Sequence, residues 1–133
     1  YTDMPINHKI FLAQFDTIRK IADEGPCILV GRCADYALEE YSNVLSVFIH
    51  ADMDARIRRI ARIYDLTDAK AKELIKKTDK RRSSYYNYYS NKKWGAAESY
   101  NICLDSSILG IDGTAEAIEQ LVALRESITD PKL

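Results

Sequence analysis

An α/β fold, with a mainly parallel sheet sandwiched by helices, is what this sequence predicts, and three observations carry it. Short continuous apolar runs, Cys27-Ile28-Leu29-Val30, Val44-Leu45-Ser46-Val47-Phe48-Ile49 and Ile102-Cys103-Leu104, read as strands buried on both faces. Between them lie longer stretches whose apolar residues recur at three- and four-residue steps, the period of amphipathic helices. The chain has 133 residues, 47% hydrophobic and 29% charged, which suits one folded soluble domain with one sizeable core. Strands that alternate with helices in this way form parallel sheets.

Taken in order, Asn7 can cap a first helix that runs to about Glu24. Phe11, Phe15, Ile18 and Ala22 form its apolar stripe, and Gly25-Pro26 ends it. The first strand, 27–30, leads into Gly31-Arg32 and a short helix from about Ala34 to Glu40. Ser42-Asn43 turns the chain into the second strand, 44–49, which ends at His50. A helix from about Asp52 to Tyr64 turns Met53, Ile57, Ile60, Ala61 and Tyr64 one way. Arg56, Arg58, Arg59 and Arg62 face the other, within an arc of about 160° at about 100° per residue. Thr67 can cap a long basic helix in which Ala71, Leu74, Ile75, Thr78, Tyr85, Tyr88 and Tyr89 share a side. Arg81 and Arg82 occupy the turn where its next apolar residue is due. Asn91 to Ser99 reads as loop, and the third strand, 102–104, ends in Asp105-Ser106-Ser107. Gly110 and Gly113 punctuate a loop before a last helix, about Thr114 to Ser127. The stretch of about 65–97 is the one candidate subdomain, a helical insertion.

The net charge of -1 conceals an asymmetry, because residues 56–93 hold 13 Lys/Arg against 4 Asp/Glu. A basic segment on an acidic body points to a local anionic ligand rather than to a surface built for nucleic acid. Three cysteines without C-x-x-C spacing, two of them in apolar runs, are expected to be buried free thiols in a reducing compartment. No apolar run approaches a membrane span and no signal-peptide pattern is present, so the expected location is cytoplasmic, with no membrane partner. The Cys and His spacing holds no metal-ligand motif.

Ligands of open parallel sheets bind beyond the carboxyl ends of the strands, here Gly31-Arg32, His50 and Asp105. Arg32 reads as a phosphate ligand ahead of a surface salt bridge, since a guanidinium fork suits phosphate oxygens. Asp35 equally contacts a base or sugar, or caps the short helix. Arg59 and Arg62 either embrace phosphates or pair with Asp52, Asp54 and Asp65. His50 reads as structural, since nothing pairs it with a nucleophile at a recognisable spacing. The Tyr85–Tyr89 cluster reads as core or interface ahead of a base-stacking platform. Asp105-Ser106-Ser107 either bonds a nucleotide or closes a turn.

Gly31-Arg32-Cys33-Ala34-Asp35, Val47-Phe48-Ile49-His50-Ala51, Lys77-Thr78-Asp79-Lys80-Arg81-Arg82 with Tyr85-Tyr86, Trp94-Gly95 and Leu104-Asp105-Ser106-Ser107 occur in that order. Together they resemble the cytidylate kinase-like proteins, relatives of bacterial cytidylate kinase among the nucleoside-monophosphate kinases. The resemblance covers about residues 10 to 122. It implies a P-loop NTPase fold of the nucleoside-monophosphate kinase type, with about 65–97 as a mobile lid. The implied activity is phosphoryl transfer from MgATP to a nucleoside monophosphate, CMP first, so ATP and Mg2+ are the implied cofactors. By the same resemblance Arg32 is an acceptor-phosphate ligand. Asp35 is the nearest match to an aspartate that contacts the acceptor base, shifted by two positions from the family pattern. Asp79 belongs to substrate binding in the lid, and Arg81 and Arg82 to catalysis. Arg59 and Arg62 resemble lid-base arginines near ATP, and Asp105 begins the loop beside adenine. Ser83, Ser84 and Tyr85 stand where the wider pattern has further arginines and an aspartate.

The motif G-x-x-x-x-G-K-[ST] is not found among these residues. The expectation is that a P-loop segment precedes Tyr1, and that the chain is the carboxyl-terminal two-thirds of a kinase. The strand leading into that loop would lie between residues 27–30 and 44–49. Expressed without it, these residues are expected to be insoluble, or repaired by another chain's strand, and inactive. The competing expectations are a nucleic-acid- or partner-binding module and a catalytically inactive regulatory relative.

Overall fold

In the computed structural model, residues 4–128 are described, with side chains from His8 onward. The contacts divide the chain into two compact units, Tyr1–Val44 with Ser83–Trp94, and Leu45–Arg82 with Gly95–Leu133.

The first unit begins with α1, Met4–Glu24. It starts three residues before Asn7, so Asn7 lies inside the helix and not at its cap. Pro5 suits the first turn, where an N–H would have no intrahelical acceptor. The expected stripe is the buried one: Phe11 and Ile18 are buried, and Phe15 and Ala22 pack around Ile18, Ala37 and Leu38. Gly25 ends the helix with φ 147°, a backbone angle that side chains rarely adopt. Short helix α2, Ala34–Ala37, ends earlier than expected, although Ala37 and Leu38 are both buried.

The segment Cys27–Val30 corrects the sequence reading. It forms no strand, and Ile28 and Val30 are 93% and 89% exposed. Only Leu29 packs against the cluster around Ile18. Four apolar residues supply β propensity, but a strand exists only through a ladder of hydrogen bonds to a neighbour. The segment pairs with no described strand, so its peptide groups are left to solvent.

The second unit holds the sheet, which has two parallel strands among the described residues: β1, Val47–His50, and β2, Ile102–Asp105. The register runs from Val47↔Ile102 to His50↔Asp105. Asn101 anchors it. Its Oδ1 accepts from the Ser46 N–H at 2.8 Å, and its own N–H donates to Ser46 Oγ at 2.9 Å. The fold is therefore mixed α/β as expected, with a smaller sheet and a β1 that starts at Val47 instead of Val44.

Helix α3, Met53–Tyr64, is capped by Asp52, whose carboxylate accepts from the Ala55 N–H at 2.7 Å. Helix α4, Asp68–Ser90, is capped as expected by Thr67, whose hydroxyl accepts from the Lys70 N–H at 3.2 Å. Ala71 and Ile75 are buried at its start. The expected loop before the last helix is instead a kink. Helix α5 runs from Ser106 to Ser127 and breaks at Gly110, with φ 73° and ψ -178°. That region of backbone space is essentially open to glycine alone. No helix among the described residues is long and apolar enough to cross a membrane.

The cysteines are all free, but Cys27 is exposed where a buried thiol was expected, Cys33 is buried and Cys103 is intermediate. Burial, with Asp35 nearby, pushes the Cys33 thiol up to about 11. At pH 8 Cys33 is therefore almost entirely protonated, and the thiolate is the nucleophile. Iodoacetamide at pH 8, followed by peptide mass spectrometry, should label Cys27 at least about tenfold faster than Cys33. Equal rates would contradict the exposure of the 27–30 segment. Stability that depends on the neutral thiol is present below about pH 9 and is lost as the pH rises through about 11.

Candidate functional site

Gly31, Arg32 and Cys33 all lie in the left-handed region, with φ of 70°, 57° and 57°. The Ala34 N–H closes the turn on the Gly31 carbonyl at 3.1 Å. Gly31 occupies its position without steric cost, whereas Arg32 and Cys33 each strain the backbone by about 1–2 kcal/mol. The turn leaves Arg32 exposed, and it forms no ion pair with any described residue. Thus the surface salt bridge weighed for Arg32 is not made. The arginine lines a cavity of about 260 Å³ together with Gln14, Thr17, Leu29 and Ala34.

Asp35 lies in α2, directly after this turn. One carboxylate oxygen accepts from the Tyr36 N–H at 2.9 Å, and the other accepts from the Tyr86 hydroxyl at 2.7 Å. Arg32 and Asp35 both belong to the first unit, three residues apart, and Asp35 is not among the residues that line the cavity beside Arg32. Tyr85 reaches the same neighbourhood. Its hydroxyl donates to Gln14 Oε1 at 3.2 Å, and burial raises its pKa while the nearby Arg32 charge opposes that rise.

The aromatic residues around this turn are core, as expected. Phe11 stacks on Tyr89 with ring centroids 4.1 Å apart, and Phe15, Tyr36 and Tyr85 pack beside them. The stripe read for α4 needs one correction. Tyr88 is 63% exposed and Tyr86 is buried. At about 100° per residue, Tyr88 is about 100° from Ala71 and Tyr86 only about 60°. The step from Tyr85 to Tyr88 and Tyr89 concealed that drift.

In the second unit Asp79 accepts a hydrogen bond from Arg56 at 2.7 Å, joining α4 to α3. Their side chains are 24% and 32% exposed, so water is partly excluded from the pair. Sequence reasoning placed Arg56 on a polar face without giving it a role, and a separation of 23 positions between the partners carries no local signal. Arg59, Arg62, Arg81 and Arg82 are exposed and make no ion pair with described residues. The alternative pairing of Arg59 and Arg62 with Asp52, Asp54 or Asp65 is not formed. Like charges one helical turn apart repel by a few tenths of a kcal/mol, about 0.2–0.5, which an anion between them would relieve.

Asp105 takes the turn-closing option. It accepts from the Ser107 hydroxyl at 2.5 Å and from the Ser107 N–H at 2.9 Å, capping α5. These bonds, the hydroxyl's first, hold its carboxyl below the usual carboxylate range, and His50 adds to the effect. The His50 ring stacks on Phe48 at 6.3 Å, consistent with a structural role. Among the described residues, no three His, Cys, Asp or Glu side chains are grouped to hold a metal ion.

The sequence pattern of the cytidylate kinase-like family matches residues 1–108 of the chain. A crystal structure of an uncharacterized protein from Eubacterium ventriosum is 31% identical, with a TM-score of 0.79. The match covers 92% of this chain and 75% of that one. No curated protein matches significantly.

The Arg56–Asp79 pair is expected to couple α3 and α4. In a double-mutant cycle with Arg56→Ala and Asp79→Ala, read by urea unfolding, the interaction should be about 1 kcal/mol. Additive single effects would show that the pair contributes nothing.

Proposed function

The chain belongs to the cytidylate kinase-like family, and from that premise we propose that the full-length protein containing it transfers a phosphoryl group from MgATP to a nucleoside monophosphate, with CMP the favoured acceptor. The observation that supports this best is Arg32, exposed on a strained turn and without an ion-pair partner among the described residues. Backbone strain of this kind concentrates where a side chain has to be aimed. In this reading Arg32 holds the acceptor phosphate and Asp35 meets the acceptor base. Asp79, held by Arg56, belongs to substrate binding. Arg59 and Arg62, with Asp105 near the adenine, serve ATP. Arg81 and Arg82 stabilise the phosphoryl group in flight.

Phosphoryl transfer gives such arginines a purpose. The transferred group spreads charge over its oxygens in an in-line transition state, so positioning and electrostatic stabilisation accomplish most of the catalysis. A set of cations without a dedicated nucleophile fits that demand. Unpaired arginines one helical turn apart also fit the phosphates of ATP. Mg2+, which needs only one or two carboxylates beside substrate phosphates, would come in on ATP and neutralise part of its charge. A P-loop NTPase fold, a cytoplasmic location and a lid at about 65–97 belong to the same proposal.

A coupled assay on the full-length protein containing this chain should register ADP release when CMP is added with MgATP. In that assay Arg32→Ala should lose about ten- to a hundredfold in kcat/KM for the acceptor, the worth of a hydrogen bond to a charged group. No stimulation by any nucleoside monophosphate would refute the kinase reading. Unchanged kinetics with a lowered Tm would make Arg32 structural. Hydrogen exchange across residues 65–97 should slow when ATP and CMP are both present. Identical exchange in the two states would remove the lid from the mechanism.

A further inference from the structure

Tyr86 is buried, 7% exposed. Its hydroxyl is spent on a side chain 51 residues away, Oδ2 of Asp35, at 2.7 Å. The other oxygen, Oδ1, already accepts from the Tyr36 N–H at 2.9 Å. A carboxylate on a single donor can still swing about its last side-chain torsion, which is broad for aspartate. With a donor on each oxygen the plane is fixed. An ionised carboxylate has about four acceptor directions, so each oxygen retains one for a ligand. The group that results accepts and cannot donate.

We propose that Tyr86 is a positioning residue for acceptor recognition: its hydroxyl holds the Asp35 carboxylate turned so that it accepts from the exocyclic amino group of a cytosine-type base. The inference rests on the reading of Asp35 as the residue that meets the acceptor base. Cytosine presents an amino donor where uracil presents a carbonyl acceptor. A fixed, acceptor-only carboxylate bonds the first and repels the second. Tyr86 thus sets the preference for an amino pyrimidine without touching the nucleotide.

The test compares wild type, Tyr86→Phe, Asp35→Asn and the double variant, all in the full-length protein that contains this chain. CMP and UMP binding are measured by calorimetry without ATP, and KM values are measured in the coupled assay. Tyr86→Phe keeps the buried ring and should weaken CMP binding about tenfold, with UMP nearly unaffected. Its KM for ATP should move by less than about twofold. Asp35→Asn should erase the same preference, and Tyr86→Phe should add nothing on top of it. An unchanged CMP-over-UMP ratio in Tyr86→Phe, with or without a lowered Tm, would overturn the proposal, as would independent effects of the two substitutions. If Tyr86→Phe does not fold, an unchanged ratio in Asp35→Asn overturns it equally. Where CMP binds selectively but no transfer occurs, the kinase reading alone fails and the binding ratios still decide the role of Tyr86.

Discussion

Every backbone N–H and C=O in the chain needs a partner in protein or in water, and two apolar runs of similar composition diverge because of it. Val47–His50 finds β2, with Asn101 closing the register beside Ser46, and becomes a strand. Cys27–Val30 finds no described strand and keeps its peptide groups in solvent, taking Ile28 and Val30 out with them. A hydrophobic side chain loses roughly 1.5–3 kcal/mol by staying exposed, and β propensity cannot offset that without a ladder. The turn after the segment is bound by the same rule. Its Gly31–Ala34 hydrogen bond closes around Arg32 and Cys33, both left-handed, and joins the segment directly to α2.

Charge is distributed by a second constraint. Helical periodicity puts the arginines of α3 and α4 on polar faces, but geometry then separates them. Arg56 meets Asp79 in a partly dry position, whereas Arg59, Arg62, Arg81 and Arg82 meet no carboxylate among the described residues. Repulsion among the exposed arginines is tolerable in water and would be relieved by a polyanion.

Much of this protein was legible in its residues because the relevant physics is local. Periodicity identified the α1 stripe, the helices and two of the three expected strands, and residue type identified the cap at Thr67. The order of short motifs identified the family, which the match over residues 1–108 bears out. Local sequence also placed Arg32 directly after an apolar run. Tertiary structure decided what depends on partners distant in the chain. It left residues 27–30 unpaired, buried Tyr86 in place of Tyr88, gave Asp79 to Arg56 and Asp35 to Tyr86. Propensity and spacing state what each residue is able to do within a turn or two of itself. Which distant group it meets depends on how the elements pack, and a hydrogen bond spanning 51 residues leaves no trace in local periodicity.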